Sequence, residues 1–394
     1  MRNRIATLVA LLFCISCGNN DGQQTKEISN VEVITKEGFV VEEGVEHGEY
    51  QRYIGTIAGQ PVVLNLVTIG DNMTAQYYYE KVGINISLFK SVDSTLGEGE
   101  MSFTEYPPEP TDEPARWRIT MSGDSISGVW ENFSNSKSFP ILLTKDRRAD
   151  VQGFTVFRIE DSEKLIDSLP EPTAHFSYQS LIPKGEDEHS TFVRAMIYKS
   201  MGCDTISQNG MGGCIQAMEQ KYFADYRTII DDLDADEVGA SFNNWSSDIT
   251  YDVLYNNRGF VVLDNGLYEY TGGAHGNYGS TYLNIDRINH KLLTLEDIMQ
   301  VDSSKIVPLI EKEVRKRFEL GKKDALTSRL FSDELYIPSE FYIGNKGVTF
   351  VYGLYEIASY ADGMIMIFVP YNKIINLLNA DFKQRMGLEA VAQK

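Results

Sequence analysis

The chain has 394 residues, of which 42% are hydrophobic and 23% charged, and its formal net charge is −20. This length exceeds one ordinary hydrophobic core, so two or more domains are expected. The acidic balance excludes nucleic acid as a natural partner, because phosphate binding needs a basic face; it would instead draw basic proteins to the surface.

Met1-Arg2-Asn3-Arg4 is a short positive segment, and Ile5 to Ile15 is an apolar run too short to span a bilayer stably. Ser16-Cys17-Gly18 follows at once. This arrangement, residues 1–17, resembles a bacterial lipoprotein signal, although Cys14 stands where such signals usually carry Leu. The resemblance implies that Cys17 becomes the acylated N-terminus. Two acyl chains, at ~0.8 kcal/mol per buried CH₂, anchor a protein durably, so the membrane is an expected partner through the lipid. The polar stretch 18–39 reads as a flexible tether. The expected location is the outer membrane, facing the periplasm or the cell surface. The periplasmic face is favoured because only Asp21 is acidic close behind the cysteine.

From 40 to 148 the pattern is all β. Val62, Leu64 and Leu66 alternate, as do Ala75, Tyr77 and Tyr79, then Ile84, Ile86 and Leu88, then Ile119 and Met121. Gly70-Asp71-Asn72 and Gly123-Asp124 supply turns between them. Strands at this spacing predict an antiparallel meander closed as a small barrel or rolled sheet. Trp117 and Trp130 read as core or barrel-mouth residues, and no residue set in this region points to chemistry. Residues 149–172, bracketed by charged residues and Pro170-Glu171-Pro172, read as a linker.

From 173 to 394 helices and strands interleave, so the overall class is α+β. Phe192–Met201 and Lys221–Leu233 carry helical apolar stripes, and strands are predicted at Ile249–Tyr255, Phe260–Tyr270 and Thr281–Ile288. Thr294-Leu295-Glu296-Asp297 has capping-box spacing, and a longer helix is expected over Lys305–Leu320. A hairpin around Gly344-Asn345-Lys346-Gly347, a strand over Met364–Val369 and a helix opened by Pro370 complete the chain. Cys203 and Cys214 read as a loop disulfide, worth roughly 3 kcal/mol in the chain-entropy view. Zinc is poorly served, since His175, His189, His275 and His290 show no paired ligand spacing. No metal and no cofactor are expected.

Several spaced blocks recur in one order: Gly272-Gly273-Ala274-His275-Gly276, Leu283-Asn284-Ile285-Asp286, Leu293 to Ile298, Phe350-Val351-Tyr352, Tyr355 to Gly363, and Val369-Pro370-Tyr371. Through them the stretch from about His175 to Ala380 resembles the extracellular region of RsiV-type anti-sigma factors, which is also the accessory, non-catalytic part of PdaC-type peptidoglycan deacetylases. The resemblance implies an envelope binding module, with lysozyme recognition in the former and an accessory cell-wall region in the latter. The sigma-binding segment, the membrane helix and the deacetylase's paired histidines are not matched, so neither signalling nor deacetylation carries over.

The candidate ligand-binding set is Gly272, Gly273, His275, Tyr352, Tyr355, Glu356 and Tyr360. Glycines at 272, 273 and 276 permit positive φ and close backbone approach. His275 could offer a hydrogen bond from a fixed position, and the tyrosines could stack on a ligand. No catalytic set stands out. The expected function is therefore a lipid-anchored envelope protein that binds a cell-wall glycan or a basic lysozyme-like protein. Two other readings stay open: a glycan hydrolase using Glu356 and His275, and a structural subunit of an outer-membrane assembly.

Overall fold

The computed structural model describes residues 45–202, 210–233 and 239–388. The lipidation site Cys17, the tether and Cys203 of the expected disulfide lie outside the described residues. Among those described, no helix is long and apolar enough to cross a membrane.

The first eight strands are β1 (Val45–Ile57), β2 (Gln60–Ile69), β3 (Asn72–Tyr79), β4 (Ile86–Ser91), β5 (Glu100–Tyr106), β6 (Arg116–Ser122), β7 (Ser125–Glu131) and β8 (Ser138–Lys145). Each pairs antiparallel with the next, and β8 returns to β1 through Tyr53↔Lys145 to Ile57↔Ile141, which closes the barrel. Val62, Leu64 and Leu66 point inward onto Tyr77, Trp117 and Leu143. Period-two alternation sends Val63 and Tyr78 to the opposite side, where they join the core of the second half.

The expected linker is a correction. Residues 154–164 form β9 (Phe154–Lys164), which pairs with the first part of β1 on one edge and with β10 (Thr173–Pro183) on the other. The sheet runs on through β11 (Trp245–Asn257), parallel to β10, then β12 (Phe260–Tyr270), β13 (Asn277–Asp286) and the short β14 (Lys291–Leu292). The two halves thus share one sheet, with β1 as the common strand.

Helices α1 (Glu188–Ser200) and α2 (Gly210–Thr228) cover one face of that sheet, packing Val193, Ile197, Ile215 and Tyr226 on Phe176, Tyr178, Val261 and Leu263. The other face, through Phe260 and Val262, receives a second sheet with the remaining helices. That sheet is β15 (Glu340–Ile343), β16 (Gly347–Tyr352) and β17 (Ile365–Pro370), all antiparallel. The helices are α3 (Leu295–Ile298), α4 (Ser303–Arg317), α5 (Tyr371–Ile374) and α6 (Ala380–Met386). Thr294 and Asp297 form the expected capping box on α3. The architecture is α+β, with an antiparallel barrel leading.

Candidate functional site

The β12–β13 hairpin ends in the loop Thr271 to Gly276, and the loop after β16 lies against it. Gly272 and Gly273 hold φ of +95° and +98°, values a side chain would strain. Gly276 serves differently: a Cβ there would meet the Tyr268 hydroxyl and ring edge at 2.5–2.7 Å, so the tyrosine packs directly over the glycine. Tyr270 braces the loop by donating to the Gly273 carbonyl at 3.0 Å.

His275 is exposed at the tip. Its Nδ1 lies 2.8 Å from the Gly276 carbonyl, which can only accept, so Nδ1 carries the proton and Nε2 keeps a lone pair. The Tyr355 hydroxyl faces that lone pair at 3.3 Å. The Tyr360 ring stacks on the imidazole with centroids 3.8 Å apart and an interplanar angle of 24°. Tyr360 donates to the same Gly276 carbonyl at 2.7 Å, which ties the two loops together. Tyr278 meets Tyr360 edge-on at 6.1 Å, and Tyr355 lies 5.7 Å from it. Burial against these neighbouring rings pushes the Tyr360 phenol up from its ordinary value. Tyr268, Tyr278 and Tyr355 are 41%, 38% and 54% exposed, so the cluster presents ring faces to solvent. Tyr355 holds φ of +61°, an uncommon conformation for a bulky residue, which turns its ring outward from a tight loop.

The expected set is therefore only partly assembled. Gly272, Gly273, His275, Tyr355 and Tyr360 come together. Tyr352 does not: it is fully buried at the end of β16, and its hydroxyl donates to the Tyr336 carbonyl. Its position on a strand whose residues are all buried overrides its apparent place in a tyrosine run. Glu356 is exposed beside the cluster, but each carboxylate oxygen is already engaged, one by Tyr336 from the segment before β15 and one within its own turn. Oε1 accepts from Tyr336 at 2.8 Å and Oε2 from the Gly353 N–H at 2.6 Å. That arrangement braces the turn and makes no acid–base pair with His275. Tyr268 and Tyr278 were not anticipated, although both belong to the tyrosine-rich ends of β12 and β13.

Two cavities lie elsewhere, between the barrel and the second half. One, about 760 Å³, has an apolar wall of Ile86, Ile367 and Phe368 and a rim that includes Lys81, Lys346 and Arg317. The smaller, about 240 Å³, is lined by Asn85 and Gln76 of the barrel together with Asp264, Tyr282 and Tyr342. Neither is lined by His275, Tyr355 or Tyr360. Among the described residues one further group of potential ligands, Glu188, His189 and His290, converges on the opposite end of β13.

Residues 178–278 match the family described as deacetylase PdaC, and residues 296–372 match the family described as protein of unknown function DUF3298. A DUF3298 family member of known structure from Bacteroides fragilis NCTC 9343 is 21% identical, with a TM-score of 0.54 over 61% of this chain and 100% of its own. At that identity the likeness speaks for the fold. A DUF3298 family protein from Pseudomonas aeruginosa PAO1 is 18% identical, with a TM-score of 0.42 over 58% of this chain and 95% of its own. None of the curated proteins compared with the chain matches it. Over its C-terminal half the chain is thus similar to a PdaC-type region followed directly by a DUF3298 region.

Proposed function

We propose that the chain is a lipid-anchored cell-envelope protein that binds a cell-wall glycan on the aromatic end of the β12–β13 hairpin. The observation that carries this reading is the surface stack of His275 on Tyr360, flanked by the partly exposed Tyr268, Tyr278 and Tyr355. Fixed ring faces beside hydrogen-bonding hydroxyls suit a sugar, which offers an apolar C–H face and a polar edge. The two loops are braced by their own hydrogen bonds, so little ordering entropy would be lost on binding. A basic, lysozyme-like protein is the second reading, favoured by the net charge of −20.

The test is direct binding of the purified chain to soluble peptidoglycan fragments and to lysozyme. Tyr355→Ala and Tyr360→Ala should each weaken binding about tenfold, the scale of one lost aromatic contact. Lysozyme binding should also weaken with added salt. A folded protein that binds neither ligand would remove the proposal.

A further inference from the structure

We propose that Glu188, His189 and His290 form a binding site for a divalent transition-metal ion of the zinc, nickel or copper type. One ring nitrogen from each histidine and one carboxylate oxygen of Glu188 lie within 4.8 Å of one another, although the histidines are 101 residues apart in the chain. Imidazole and carboxylate together are a donor set these ions favour, with water filling the remaining positions.

The two histidines stand on braced backbone. His189 sits in the first turn of α1, where the Asp187 cap accepts from the His189 and Ser190 N–H groups, each at 3.1 Å. His290 sits in the turn after β13, held at φ +50°. That turn is fixed by Asp286, which accepts from the Ile288 and Asn289 N–H groups at 3.1 and 3.0 Å and pairs with Arg385. Phe192 of α1 packs its ring 5.3 Å from the His290 ring, which limits how far that imidazole can swing.

Proton placement follows from the acceptors. His189 Nδ1 lies 2.9 Å from the Arg287 carbonyl, so it must be the protonated nitrogen, and Nε2 keeps its lone pair. A ring N–H held by a backbone carbonyl is the usual support of a ligating histidine, since it fixes the tautomer and the ring orientation. The same Nδ1 lies 3.0 Å from His290 Nε2, so that nitrogen is unprotonated and accepts from the shared N–H, a contact that a metal ion would displace. Ligation through Nε2 of both histidines therefore requires the His290 ring to turn off the His189 N–H, at a site that is partly exposed. The Arg287 guanidinium is directed away, to Gln152 and the Asp150 carbonyl, and leaves the approach open. Glu188 lies on the same helical turn and supplies the negative charge.

The experiment is calorimetric titration of the chelator-washed full chain with zinc(II). One saturable equivalent is expected. Affinity should fall at least about tenfold in His189→Gln and in His290→Asn, the latter chosen because Asn tolerates a left-handed backbone. His175→Gln should bind like the parent. Electron paramagnetic resonance of the copper(II)-loaded parent should show hyperfine splitting from two imidazole nitrogens, a readout that needs no variant to fold. The proposal is overturned by parent-like binding in both variants, by no saturable zinc binding, or by a copper spectrum without nitrogen splitting.

Discussion

Glu105 is the residue on which the barrel interior turns. It is nearly buried, and one oxygen accepts from Tyr77 Oη at 2.6 Å, Trp117 Nε1 at 2.7 Å and Trp130 Nε1 at 2.8 Å. Alternation along β6 and β7 was enough to place the two tryptophans in or near the core. It could not show what they face, because Glu105 follows Met101 and Phe103 in phase on β5 but, as a charged residue, reads as solvent-facing. The carboxylate satisfies two buried donors and one half-buried donor at once, and hydrogen bonds to a charged group contribute about 1.5–3 kcal/mol each. Glu105→Gln should therefore lower barrel stability by about 1–3 kcal/mol. Glu105→Ala, which strands all three donors, should lower it by about 3–5 kcal/mol. Urea unfolding followed by tryptophan emission reads both, and an alanine variant as stable as the parent would contradict the role. At the candidate surface the same limit operates in reverse. Tyr352 and Tyr355 are three positions apart and indistinguishable by type, yet one is fully buried and the other 54% exposed. Only the end of β16 and the left-handed turn after it separate them.

At the scale of elements, most hairpins were legible because one face of each strand is buried, and β9 was not. Its second half, Glu160-Asp161-Ser162-Glu163-Lys164, is polar, and prolines follow it, so local pattern favours a loop. What makes it a strand is pairing along its whole length with β10, joined in its first half by β1, which lies more than a hundred positions earlier. β1 itself changes partner partway: Val45–Glu49 pair with β9, whereas Tyr53–Ile57 pair with β8. Between those stretches stands Arg52, whose side chain is 1% exposed and paired with an equally buried Asp146 just beyond β8. The Asp146 N–H also donates to the Arg52 carbonyl at 2.7 Å. The ion pair fills the seam where the barrel parts from the larger sheet, and Arg148 caps it from the surface at 2.9 Å. Removing Asp146 leaves the buried Arg52 charge without compensation, which destabilises by about 3–5 kcal/mol, whereas removing Arg52 leaves Asp146 still paired with Arg148. Asp146→Leu alone should therefore unfold at lower denaturant, and adding Arg52→Met should recover part of the loss. Simple additivity of the two losses in that double-mutant cycle would rule out the pairing as the cause.

For the whole molecule, the sequence divides the chain into two halves by pattern, and the structure joins them partly through polar contacts. Lys316 of α4 pairs with Glu109 beyond β5 at 2.7 Å, and Asn345 donates to the Glu80 carbonyl at 2.9 Å. Thr74 of the barrel donates to Asp252 of β11 at 3.3 Å. Asp252 and Asp264 are directly opposite on β11 and β12, and Asp264 lines the smaller interdomain cavity. No local signal could reveal this pair, since a lone Asp in a strand reads as solvent-facing. Burial pushes the Asp252 carboxyl up to about 6. Burial, together with the nearby Asp252 and Glu340 charges, pushes Asp264 up to about 7. The native state therefore holds both protons over a range in which the unfolded chain, titrating near 4, has released them. Stability attributable to the pair is fully present below about pH 4, declines as pH rises toward 7, and is gone above it. The parent's melting temperature should accordingly fall between pH 5 and pH 8, over and above the effect of other groups. Asp264→Asn, which cannot ionise, should flatten that slope and leave the protein about 1–3 kcal/mol more stable than the parent at pH 8. A slope identical in parent and variant would mean that Asp264 meets bulk water and that the two halves are less closely joined than the cavity implies.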